Sequence, residues 1–169
     1  MKMLAAIGIF LLISSPSLVR GVGPASDPFL GKWMLDPQSS RYAYNNCPEE
    51  MTIEMTREAQ GVHYHSHTKA ASGEAFDVDY TANYDGKPAL VRGSKGILLP
   101  ISLERKGKVL TATYYNAFQV AATSVRSLSE DNRTMTITTI SYDSMRPPET
   151  NVGVYRRQPD KEFQPAPFL

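Results

Sequence analysis

Three histidines stand at alternate positions in one short stretch, His63, His65 and His67, and the chain has no others. In an extended strand every second side chain falls on the same face, about 6.6–6.8 Å apart per step. Two such imidazoles chelate zinc, copper or nickel when a third ligand closes the site. Glu54 on the preceding strand, or Asp77 or Asp79 on the following one, could supply that ligand. The opposite face of the stretch carries Val62 and Tyr64, residue types that belong against a core. That parity turns the histidines outward to solvent, so no metal site is expected, and an inward His63, His65 and His67 would be the evidence against it. Asp77 and Asp79 share a face and have the form of a general acid–base pair. The same alternation instead sets them on the polar side of a half-buried strand.

Other reactive groupings are scarce. There is no Gly-rich phosphate loop, no Gly-x-Ser-x-Gly and no Cys-x-x-Cys. The single cysteine, Cys47, cannot form an internal disulfide, and Asn45-Asn46-Cys47-Pro48 offers it no activating partner, so it is read as inert. No catalytic residue and no cofactor is assigned. What remains is aromatic: Tyr64, Phe76, Tyr80, Tyr84 and Tyr114 fall on faces predicted to point inward. Aromatic walls with a few hydroxyls suit a small-molecule pocket, because the rings supply apolar area and the hydroxyls orient the guest.

The elements that must position these residues are almost all strands. Alternation of period two runs through 31–36, 50–57, 61–68, 75–84, 88–93, 97–105, 108–117, 118–128, 134–141 and 150–157, ten candidates in all. Phe76, Val78, Tyr80, Ala82 and Tyr84 alternate with Asp77, Asp79, Thr81 and Asn83. Met51, Ile53 and Met55, then Ile97, Leu99, Ile101 and Leu103, then Leu110, Ala112 and Tyr114, repeat the pattern. Ser72-Gly73, Asp85-Gly86-Lys87-Pro88, Lys106-Gly107-Lys108 and Glu130-Asp131-Asn132 suit tight turns. Pro37 to Arg41 suits one helical turn. With no helix to cover the apolar face, the sheet must close on itself or fold into a sandwich, and the uniformly short connections favour closure. The expected fold is all-β, a closed antiparallel up-and-down barrel of eight to ten strands.

The chain opens with Lys2, an apolar run from Leu4 to Ile13, and Ser14-Ser15-Pro16. That is the form of a cleavable signal peptide over 1–25, cut between about 21 and 25, and too short to span a bilayer. The 18 basic residues then fall to 16 against 17 acidic ones, a net charge near −1. Without a basic excess, nucleic acid and anionic membranes are not expected partners, nor is integral membrane association. The barrel is expected over 26–157, one domain, with a Pro-rich tail over 158–169.

Gly31-Lys32-Trp33 resembles the Gly-x-Trp signature of lipocalins and related calycin barrels. The pattern is also similar to a group of small secreted bacterial proteins described as lipocalin-like. The shared pieces are Trp33-Met34-Leu35-Asp36 with Ser39 or Ser40 before Tyr42, and Tyr80-Thr81-Ala82 leading into Tyr84-Asp85-Gly86-Lys87. They continue with Ser129-Glu130-Asp131 before Thr134-Met135-Thr136-Ile137, and the closing Val154-Tyr155-Arg156-Arg157. The resemblance implies that Trp33, after Gly31, packs at the closed end while a basic residue of the last strand, Arg157 or Arg156, lies across it. A guanidinium over an indole face gains cation–π energy. Asn132 stands where the pattern has Gly, and no function is established for the group.

These readings converge on a secreted or periplasmic barrel that binds a small apolar or amphipathic molecule without catalysis. Tyr64, Phe76, Tyr80 and Tyr114 are the expected walls, with Trp33 at the base. Two alternatives stand beside it. One is a barrel enzyme (isomerase, lyase or hydrolase) using an inward carboxylate or a His-bound metal. The other is an envelope interaction module with a plugged barrel.

Overall fold

The structure, a computed structural model, describes residues 27–159 apart from 60, 95 and 118. The expected leader, nearly all of the tail and the Ile97 side chain lie outside the described residues. Ten strands follow one another: β1 (Gly31–Leu35), β2 (Glu50–Glu58), β3 (Gly61–Lys69), β4 (Ala75–Ala82), β5 (Ala89–Gly93), β6 (Gly96–Lys106), β7 (Val109–Asn116), β8 (Gln119–Leu128), β9 (Thr134–Asp143) and β10 (Arg146–Arg157). Each pairs antiparallel with its sequence neighbour, and β1 pairs with β10 to close the barrel. Trp33 faces Arg157 and Leu35 faces Tyr155 across that closing seam. The fold is therefore the expected up-and-down barrel, with ten strands. No helix among the described residues is long and apolar enough to cross a membrane.

Alternation places the core as the sequence pattern requires. Ile53 and Met55 of β2, Val62 and Tyr64 of β3, Tyr80 and Ala82 of β4, Ile101 and Leu103 of β6, and Leu110 and Ala112 of β7 are all buried. Burial of each large side chain contributes about 1.5–3 kcal/mol. At the turn between β8 and β9, Asn132 adopts a φ of 57°, a left-handed conformation that asparagine tolerates where the related pattern has glycine.

Two details depart from expectation. Asp85-Gly86-Lys87-Pro88 does not form a tight β4–β5 hairpin. β4 ends at Ala82, the Gly86 amide donates to the Leu103 carbonyl at 2.9 Å, and Asp85 bridges Glu104 of β6. β4 and β5 share two registered pairs, Val78 with Gly93 and Asp79 with Arg92, and the pairing of β5 with β6 shifts register between Leu90 and Arg92. The last strand also begins earlier than expected, at Arg146. Its register shifts between Arg146 and Glu149, where Pro147 and Pro148 cannot donate to the ladder.

The two ends of the barrel differ. At one end the segment from Asp27 to Leu30 crosses under the sheet, with Phe29 and Trp33 fully buried above it. The Trp33 indole Nε1 donates to the Phe29 carbonyl at 3.0 Å. Asp27 ties this plug to the wall: its carboxylate accepts from the Phe29 amide (3.0 Å) and the Tyr84 hydroxyl (2.7 Å), and it pairs with Arg105 at 2.9 Å. At the opposite end lies the β1–β2 connection, which makes single 3₁₀ turns at Pro37–Ser39 and Ala43–Asn45. It is stitched to β10 by Arg41–Val152 backbone bonds and by the Ala43 amide on Asn151 Oδ1.

Candidate functional site

The histidines lie outside the barrel. Their side chains are 34, 41 and 47 % exposed at His63, His65 and His67, while Val62, Tyr64, Ser66 and Thr68 of the same strand are buried inside. They form a ladder with β4: His65 Nδ1 lies 2.9 Å from Asp79, His67 Nδ1 lies 2.7 Å from Asp77, and His63 Nδ1 lies 3.3 Å from the Thr81 hydroxyl. Asp77 and Asp79 are thus imidazole partners on the outer face. Glu54 faces His65 across the β2–β3 register. Among the described residues no cluster of His, Cys, Asp and Glu is arranged to hold a metal ion. Cys47 is half-buried against the core, and burial pushes its thiol up, away from the reactive thiolate.

The basic residue across Trp33 is Arg157. Its guanidinium carbon lies 4.1 Å from the indole ring centre. Nη1 donates to the Leu30 carbonyl at 2.6 Å, Nε to the Asn132 carbonyl at 2.8 Å, and Nη2 to the Pro28 carbonyl. Gly31 makes room for it: its φ is +116°, and a Cβ there would sit 2.8 Å from Arg157 Nη1. Arg156 points the other way and binds Asp36 through Nε (3.1 Å) and Nη2 (3.0 Å). Strand parity makes this division, since adjacent residues of β10 face opposite sides of the sheet.

Two chambers occupy the interior and share Tyr42, Met51, Tyr64 and Tyr114 as walls. The larger, about 340 Å³, is completed by Pro48, Ser66, Thr68, Phe76, Val78, Val91 and Leu99. The smaller, about 200 Å³, is completed by Ser124, Arg126, Ile137, Thr139, Asn151 and Tyr155. Three of the expected wall residues, Tyr64, Phe76 and Tyr114, therefore line the space. Tyr80 lines neither chamber. It stacks on Tyr64 with ring centres 4.6 Å apart, and its hydroxyl accepts from Arg126 Nη2 at 2.9 Å. Trp33 also lines neither chamber. The plug of Phe29 and the Arg157 guanidinium enclose it, so its place is structural.

Several lining residues carry no distinctive sequence signal. Ser66 and Thr68 lie on the inner face of the histidine strand, and Ser124 and Arg126 on the inner face of β8, where apolar residues would be expected. Val125 between them faces outward. Tyr42 and Tyr155 both line the smaller chamber beside Gly153, and the Tyr155 hydroxyl donates to Met51 Sδ at 3.1 Å. Gly153 allows this approach, because a Cβ there would lie 2.8 Å from both the Tyr42 hydroxyl and the Tyr155 ring. Burial, the dominant effect, holds the phenols protonated: Tyr64 is pushed up to about 12 and Tyr80 well above 10, despite the opposing charge of Arg126.

No family description and no curated protein matches this chain in sequence. Solved structures do match in fold. One is zebrafish ileal bile acid-binding protein complexed with cholic acid, with a TM-score of 0.52 and 12 % identity, covering 78 % of this chain and all of that one. Another is Rv2717c from M. tuberculosis, with a TM-score of 0.50 and 14 % identity, covering 78 % of this chain and 94 % of that one. At such identities the likeness extends to the fold alone. It places the chain among ten-strand, lipocalin-like barrels.

Proposed function

We propose that this protein binds a small apolar or amphipathic molecule inside the barrel, without catalysis, and works in a secreted or periplasmic setting. The observation that carries the reading is the interior space itself. Side chains of a ten-strand barrel can fill it, yet here Tyr64, Phe76, Val78, Val91, Leu99 and Tyr114 wall a chamber of about 340 Å³. That is the lower end of the size range of small-molecule pockets, about 300–1,000 Å³. The barrel of similar fold crystallised with cholic acid agrees with this use of the architecture. Against the enzyme alternative, the histidines face solvent and, among the described residues, no carboxylate lines either chamber. The compartment rests on the leader, and N-terminal sequencing of the exported protein checks it by showing a start between about residues 22 and 26.

The test is a titration with the neutral fluorescent probe N-phenyl-1-naphthylamine. Saturable binding at one site is expected, weakened by Tyr114→Ala and Phe76→Ala with the circular dichroism spectrum retained. Unsaturable binding, or affinity untouched by both substitutions in folded protein, would overturn the cavity as the site.

A further inference from the structure

We infer that the bound molecule carries a single carboxylate, held at Arg126 in the smaller chamber, with its apolar body extending into the larger one. This rests on the cavity reading above and adds the charge of the guest and its direction.

Arg126 is 2 % exposed and forms part of the wall of the smaller chamber. A guanidinium offers five donor hydrogens and keeps its charge in a protein. Nη2 donates to Tyr80, but Nε and Nη1 are buried and meet no acceptor among the described residues. The guanidinium carbon lies 4.8 Å over the Tyr64 ring, whose π face attracts the cation yet supplies neither a lone pair nor a counter-charge. Tyr64 and Tyr80 stay neutral phenols, and among the described residues no Asp or Glu lines either chamber. A buried cation without a counter-ion is strongly disfavoured, and a leucine at this position would avoid the penalty.

A carboxylate supplies both missing things, negative charge and oxygen lone pairs for the free N–H donors. The rest of the cavity matches an amphiphile. Ser124, Thr139 and Asn151 add polar groups beside Arg126, whereas Phe76, Val91 and Leu99 of the larger chamber add none from their side chains. One cation calls for one anionic group, and the chamber volumes call for a short aliphatic or compact ring body.

The experiment compares decanoate with 1-decanol as competitors of N-phenyl-1-naphthylamine at neutral pH, in the native chain, Arg126→Met and Arg126→Lys. Charge-assisted hydrogen bonds predict decanoate favoured over decanol by about 10- to 100-fold in the native chain. Arg126→Met abolishes that preference while decanol still competes, and Arg126→Lys retains part of it. Equal competition by the two molecules in the native chain overturns the carboxylate inference and leaves the cavity reading standing. So does a preference that survives in Arg126→Met. Failure of both molecules to displace bound probe overturns the carboxylate inference alone, and absence of probe binding overturns it together with the cavity reading. The native-chain comparison decides the matter even if Arg126→Met does not fold.

Discussion

Replacing Arg157 by alanine removes the clasp that holds the plug under the barrel. The side chain makes three hydrogen bonds to carbonyls of Pro28, Leu30 and Asn132 and lies 4.1 Å from the Trp33 ring centre. A hydrogen bond from a charged donor contributes about 1.5–3 kcal/mol, and a desolvated cation–π contact about 2 kcal/mol. Because one side chain makes all four contacts, the terms do not add in full, and the expected loss is about 3–5 kcal/mol. For a chain of 169 residues each kcal/mol moves the melting temperature by about 2–4 °C. The midpoint should therefore fall by about 6–20 °C. Arg157→Lys keeps a cation near the indole but cannot span three carbonyls, so its loss should be intermediate. Trp33 is the only tryptophan, so its fluorescence reports directly on the clasp during urea and thermal unfolding. A loss below about 1 kcal/mol in Arg157→Ala, of the order of a surface ion pair, would show that Arg157 does not clasp the plug.

Two further perturbations separate structure from surface. Gly31→Ala forces a side chain into a φ of +116° and against Arg157 Nη1, so its urea midpoint should fall by the equivalent of about 1–3 kcal/mol; an unchanged midpoint would contradict the clasp geometry. His65→Ala removes the centre of the outer ladder, and probe affinity should match that of the native chain, since a change would place the ladder in communication with the interior.

The closed barrel was readable because alternation is nearly continuous and the turn residues stand between the runs. The outward histidines were readable for the same reason: Val62 and Tyr64 set the parity of their strand. Arg126 was hidden by that same rule. On β8 the apolar Val125 faces out and the arginine faces in, so hydrophobic alternation assigns the faces backwards. Only the packing of Leu128 against the core, two residues on, fixes the true parity. The choice between Arg156 and Arg157 needed the β1–β10 register, which pairs Trp33 with Arg157. Spacing along one strand does not contain that information. Trp33 was legible as a base residue, but its exclusion from the chambers depends on Phe29 and the plug, which no periodicity announces.

Native mass spectrometry of the tag-free protein shows whether the interior holds a small molecule. The expected result is an adduct of a few hundred daltons, absent from the denatured mass, or an adduct of that kind formed on addition of decanoate. A bare mass that stays bare with decanoate and with N-phenyl-1-naphthylamine would contradict it.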